Sequence, residues 1–83
     1  MTHEEIFATL KSLIADQFGI SESEVTMATS YEDTLGADSV DLVELSMSLE
    51  DEFGLSEELS EDDVASLKTV GDTVNFLVSK LNA

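Results

Sequence analysis

Apolar residues recur at helical spacing in three separate stretches of this chain, and that period leaves an all-helical fold as the solution. In the first stretch Ile6, Phe7, Leu10, Leu13 and Ile14 follow an i, i+1, i+4, i+7, i+8 pattern, which lines one face of a helix. Thr2 with Glu5 three residues later forms a capping box at its start, and Gly19 after Phe18 stops it. A second helix is predicted from Asp38 or Ser39 to Phe53, with Gly54 as its stop. A short third helix follows the cap-like Ser60 through Asp63 to about Ser66. The last helix opens at Thr69, with Asp72 three residues on, and carries Val70, Val74, Leu77, Val78 and Leu81 on one face. No strand-like alternation of useful length interrupts these helices, and the chain contains no proline. The predicted architecture is an all-α four-helix bundle of three main helices and one short one, formed by residues 1–83 as a single domain.

Between the first two helices, residues 20–37 form a long loop whose scattered apolar residues Ile20, Val25, Met27, Tyr31 and Leu35 are expected to pin it to the core. Ser21 and Glu24 can cap one helical turn inside it.

Charge narrows the class of partner. The formal net charge is −16, from nineteen acidic residues against Lys11, Lys68 and Lys80. Nucleic acid and anionic membranes each need a basic face, so both are poor partners and neither is expected, and a basic protein surface is the natural complement. Self-repulsion favours a monomer. There is no cysteine for a disulfide or a thiolate site. The first residues carry no basic run before an apolar one, and no apolar stretch approaches membrane-spanning length, so a soluble, untargeted, cytoplasmic protein is expected.

The second helix has two apolar faces. Leu42, Leu45, Leu49 and Phe53 share one narrow stripe, the predicted core side. Val40, Val43 and Met47 lie about 100–160° round the helix from Leu42, interleaved with Glu44, Glu50 and Asp51. Small apolar residues framed by carboxylates describe a docking surface, in which charge steers the encounter and apolar contact supplies the fit. At the head of this helix Ser39 places a hydroxyl beside unpaired backbone amides, where a phosphate ester meets favourable donors and the helix dipole. Gly36 and Ala37 leave room for a modifying enzyme. Taken alone, such a serine is an ordinary cap residue.

In context it means more. The run Leu35-Gly36-Ala37-Asp38-Ser39-Val40, the acidic helix ending Glu50-Asp51-Glu52-Phe53-Gly54 and the Thr69-Val70-Gly71-Asp72 helix start, in this order and spacing, resemble an acyl carrier protein over nearly the whole chain. The resemblance implies that Ser39 carries a 4′-phosphopantetheine arm derived from coenzyme A, on which acyl groups ride as thioesters. It further implies that Asp38, Asp41, Glu44, Glu50 and Asp51, with Val40, Val43 and Met47, dock partner enzymes. Those partners would be the phosphopantetheinyl transferase and the enzymes of fatty acid synthesis that carry basic patches: ketosynthase, malonyl transferase, reductases, dehydratase and acyltransferases. A cargo cavity among Phe7, Leu45, Leu49, Phe53, Val64, Leu67 and Val74 is implied in the same way, with a closed core as the alternative. Two departures stand out: Val40 replaces the leucine common after the serine, and the Gly54–Val64 segment is proline-free and slightly longer than usual.

Other classes fit less well. The only histidine is His3, and the residues around Ser39 lack the glycine spacing of a nucleophile elbow, so catalysis is not expected. An EF-hand placed with Gly36 at its sixth position would need ligands from Tyr31 and Leu42, so that loop fails and no metal site is assigned, weak and delocalised divalent-cation binding by the crowded acids staying open. An acidic inhibitor without a prosthetic group is the runner-up outside the carriers. Within them, a stand-alone polyketide or specialised lipid carrier shares the anchor.

Overall fold

The computed structural model describes residues 2–55 and 58–81; residues 56 and 57, within the segment expected to be longer than usual, lie outside them. Four helices follow in order, α1 (His3–Phe18), α2 (Ser39–Phe53), α3 (Glu61–Ser66) and α4 (Val70–Leu81), with a single 3-10 turn at Glu22–Glu24 inside the long loop. Three long helices and one short one make the expected all-α bundle. The only sheet-like pairing among the described residues is an isolated bridge between Ser30 and Thr69. No described helix is long and apolar enough to cross a membrane.

One local device starts every helix. The Thr2 hydroxyl accepts the Glu5 amide at 3.1 Å while the Glu5 carboxylate accepts the Thr2 amide at 3.0 Å. The Thr2 amide, with a further contribution from the Thr2 side chain, holds the Glu5 carboxyl below its ordinary range. Asp38 with Asp41, Ser60 with Asp63 and Thr69 with Asp72 repeat the reciprocal pattern at α2, α3 and α4. At the 3-10 turn the Glu24 carboxylate accepts the Ser21 amide at 3.1 Å. Each box satisfies amides that a helix start leaves without partners. At the far end of α2, Gly54 adopts the left-handed conformation (φ 61°) and returns its amide to Glu50, which ends the helix where the sequence predicts.

Ile6, Leu10 and Ile14 of α1, Leu45, Leu49 and Phe53 of α2, and Val70, Val74 and Leu77 of α4 form one buried cluster, joined by Val25, Tyr31 and Ala37 from the loop and by Leu67. Phe7 and Val64, expected in the core, are only half-buried. The Lys11 ammonium lies 5.0 Å from the Phe7 ring centre, a cation–π contact that needs the ring near the surface.

The loop is held by backbone as much as by side chains. Tyr31 donates its amide to Lys68, Val70 to Thr29 and Gly71 to Met27, at 3.1, 2.9 and 2.9 Å. This short ribbon ties the loop to the start of α4. A Cβ at position 71 would lie 2.9 Å from the Met27 carbonyl oxygen, so the approach requires glycine. Met27 therefore pins the loop through its carbonyl and not, as expected, through its side chain, which is 41% exposed. Tyr31 pins it as expected. Its ring is buried, and its hydroxyl lies 2.6 Å from that of Thr73. Because the Thr73 hydroxyl donates to the Thr69 carbonyl at 3.2 Å, it serves Tyr31 as acceptor.

Burial pushes the Tyr31 phenol up from 10.0 to about 12, against the lowering effect of the Thr73 bond and with a small contribution from Asp72. Unfolded chains ionise first, so between those two pH values the folded state binds more protons and stability falls as pH rises. Alkaline unfolding followed by circular dichroism should therefore steepen over that window in the wild type relative to Tyr31→Phe. Identical pH dependence in the two proteins would contradict the assignment.

Candidate functional site

Burial fixes how α2 is turned. Leu45 and Leu49 are 2% and 0% exposed, and Leu42 is half-buried. Ser46 lies beside them, its hydroxyl donating to the Val43 carbonyl at 2.7 Å. The helical period then forces Val40, Val43 and Met47 outward, and they are 62%, 52% and 57% exposed. Glu44 and Asp51 stand exposed among them. Large exposed apolar side chains at regular spacing within a carboxylate field form a patch suited to transient protein contact.

Ser39 is the first residue of α2 and is exposed. Its neighbours are committed to the helix start. The Asp38 carboxylate accepts the Asp41 amide at 2.9 Å, and the Asp41 carboxylate accepts the Asp38 amide at 3.1 Å. Each acid thus spends one oxygen on the backbone and leaves the other outside the capping box. The amides of Ser39 and Val40 have no acceptor within the helix and lie beside the serine hydroxyl. Open space surrounds the Cα of Gly36, with no atom within 4 Å of where a Cβ would sit. An accessible hydroxyl, unpaired amides and a clear approach together fit a phosphodiester-linked group.

Beside Ser39 opens a groove of about 590 Å³ between α2 and α3. Leu42, Val43, Ser46 and Met47 form its α2 wall, and Val64 and Ala65 its α3 wall. Of the seven residues named for the implied cargo cavity, Phe7, Leu45, Leu49, Phe53, Val64, Leu67 and Val74, only Val64 lines this groove. At the far end the Glu50 carboxylate accepts the Leu59 amide at 2.9 Å. Glu50 is thus half-buried and engaged with its own chain, unlike exposed Glu44 and Asp51. Glu58 and Glu61 also line the groove. Neither was legible as a site residue, because acids in a polar segment carry no periodic mark. Gln17 was missed for a similar reason: its side-chain amide donates to the Asp41 carbonyl at 2.8 Å across the α1–α2 junction. His3 is exposed in the first turn of α1. Among the described residues no three His, Cys, Asp or Glu side chains are grouped to hold a metal ion.

Comparison with known proteins agrees with this geometry. The phosphopantetheine attachment site family matches residues 8–77. An acyl carrier protein of Lactobacillus acidophilus is 46% identical over 79 residues, spanning 95% of this chain and 96% of that protein. The solved structure of an acyl carrier protein from Enterococcus faecalis superposes with a TM-score of 0.78 at 38% identity, covering 96% of this chain and 99% of that one. By family match over residues 8–77, by sequence identity and by fold, the chain belongs to the acyl carrier protein family, carriers and not enzymes, whose prosthetic group is 4′-phosphopantetheine.

Proposed function

We propose that Ser39 is the attachment residue for the phosphopantetheine arm, and that residues 1–83 act as one carrier domain serving fatty acid biosynthesis in the cytoplasm. The observation that carries this reading is the exposed Ser39 hydroxyl at the first position of α2, adjoining an apolar groove. When attached, the arm supplies a terminal thiol on which acyl groups are held as thioesters. The chain's own residues do three things around it. Asp38 and Asp41 hold the helix start that keeps the hydroxyl outward. Leu42, Val43, Met47, Val64 and Ala65 offer apolar surface beside the anchor. Glu44 and Asp51, with the free oxygens of Asp38, Asp41 and Glu50, present negative charge to basic partners.

The partners that fit are the phosphopantetheinyl transferase and the ketosynthase, malonyl transferase, reductases, dehydratase and acyltransferases of fatty acid synthesis, each docking through a basic patch. A formal charge of −16 gives long-range attraction that salt screens, and the modest apolar patch of Val40, Val43 and Met47 limits the lifetime of each complex. Fast capture and fast release suit a carrier that visits many enzymes.

Incubation with coenzyme A, magnesium and a phosphopantetheinyl transferase tests the anchor. Intact-mass measurement should find one phosphopantetheinyl group on the wild type and none on Ser39→Ala; modification of that variant would overturn the assignment. Docking is tested separately by Glu44→Lys, which breaks no capping bond. At low ionic strength its transferase kcat/KM should fall about tenfold, and the deficit should shrink as salt is added. Unchanged kinetics at low salt would remove Glu44 from the docking surface.

A further inference from the structure

The first turn of α2 overhangs the core. Before it, Ala37 is buried and donates its amide to the Tyr31 carbonyl at 2.8 Å; after it, the first inward side chain is Leu42, itself only half-buried. Of the four residues between them Asp38, Ser39 and Val40 are exposed and only Asp41 is half-buried. Helix ends fray when nothing beyond their own hydrogen bonds restrains them. The Asp38–Asp41 box is internal to the turn, so it fixes the turn's shape but not its place on the protein.

Gln17 supplies the missing restraint. Its side-chain amide donates to the backbone carbonyl of Asp41 at 2.8 Å in a partly buried setting. A carbonyl oxygen has two lone pairs, so Asp41 can accept Gln17 and still serve the helix. The support is itself anchored: the last turn of α1 is closed by the Gly19 and Ile20 amides, both donated to Ala15. Only one other side-chain hydrogen bond among the described residues joins elements this far apart in sequence, Tyr31 to Thr73, and it ties the loop to α4, leaving α2 untouched.

We propose that Gln17 is a positioning residue for Ser39: by fastening the Asp41 carbonyl to α1 it holds the first turn of α2 in the one placement that presents the serine hydroxyl to the transferase. The inference rests on the reading of Ser39 as the attachment residue. Without Gln17 the turn is competent only part of the time, and the apparent affinity for the modifying enzyme falls by that fraction, whereas the bound complex restores the turn.

The test uses the full chain, coenzyme A and a phosphopantetheinyl transferase, at a temperature where circular dichroism finds every variant folded. Gln17→Ala removes the donor, and Gln17→Glu keeps the shape but replaces the donor with an acceptor. Both should raise KM for the carrier about two- to tenfold, the equivalent of one hydrogen bond, with kcat little changed. Amide exchange should quicken at Asp41 and Leu42 while Leu49 stays protected. Thr73→Val, which deletes the other long-range bond, should lower Tm yet keep the wild-type KM. An unchanged KM in the Gln17 variants, or an equal rise in Thr73→Val, would overturn the proposal. If the wild type itself gained no group at Ser39, the attachment reading would fail, and amide exchange alone would still decide whether Gln17 holds the turn.

Discussion

The rotation of α2 about its own axis is the constraint from which the rest of the molecule follows. A helix is a rigid spacer of about 100° per residue, so burying one stripe assigns every other side chain a direction. Leu45, Leu49 and Phe53 are sunk in the shared core with residues of α1 and α4, and each buried side chain of this size contributes about 1.5–3 kcal/mol. Turning Val43 or Met47 inward would expose that stripe, at a cost comparable to the whole stability of a small domain. The outward placing of Val40, Val43, Met47 and Glu44 is thus enforced by the core, as is the side of the helix on which the groove opens.

Acidity has two uses in this fold. Glu5, Glu24, Asp38, Asp41, Asp63 and Asp72 turn back onto backbone amides at the start of a helix or turn, and Glu50 holds the Leu59 amide. Charge there is local scaffolding, favoured by the positive end of each helix dipole. Glu44 and Asp51 carry no such duty and stand exposed, the charges that the proposed function assigns to partners. Asp38 and Asp41 belong to both groups: they frame Ser39 and also build the turn that displays it. Replacing either acid would therefore disturb presentation and recognition together, which is why Glu44 isolates docking better.

Much of this was legible because local chemistry dictates it. Thr2 with Glu5, Ser60 with Asp63 and Thr69 with Asp72 announce helix starts within four residues, Gly19 and Gly54 announce stops, and the Leu42-to-Phe53 stripe gives the phase of α2. What could not be read depends on backbone atoms meeting across long separations. Met27 acts through its carbonyl on Gly71, Gln17 reaches the Asp41 carbonyl, and Glu50 reaches the Leu59 amide; none of these contacts needs a particular period or motif. The place of the groove was hidden for the same reason. It is set by how closely α3 approaches α2, not by which residues are apolar, so the apolar character of Phe7 and Val64 suits the surface as well as the interior.

The absence of cysteine from the chain makes a direct measurement possible. Single replacements Val43→Cys, Met47→Cys, Leu45→Cys and Leu49→Cys can each be exposed to a thiol reagent under native conditions, with the labelling rate compared to that of the unfolded protein. With α2 turned so that Leu45 and Leu49 face the core, positions 43 and 47 should label at near-unfolded rates, and 45 and 49 should be protected by orders of magnitude. Comparable protection at all four positions, or fast labelling at 45 and 49 in a protein still folded by circular dichroism, would contradict that orientation.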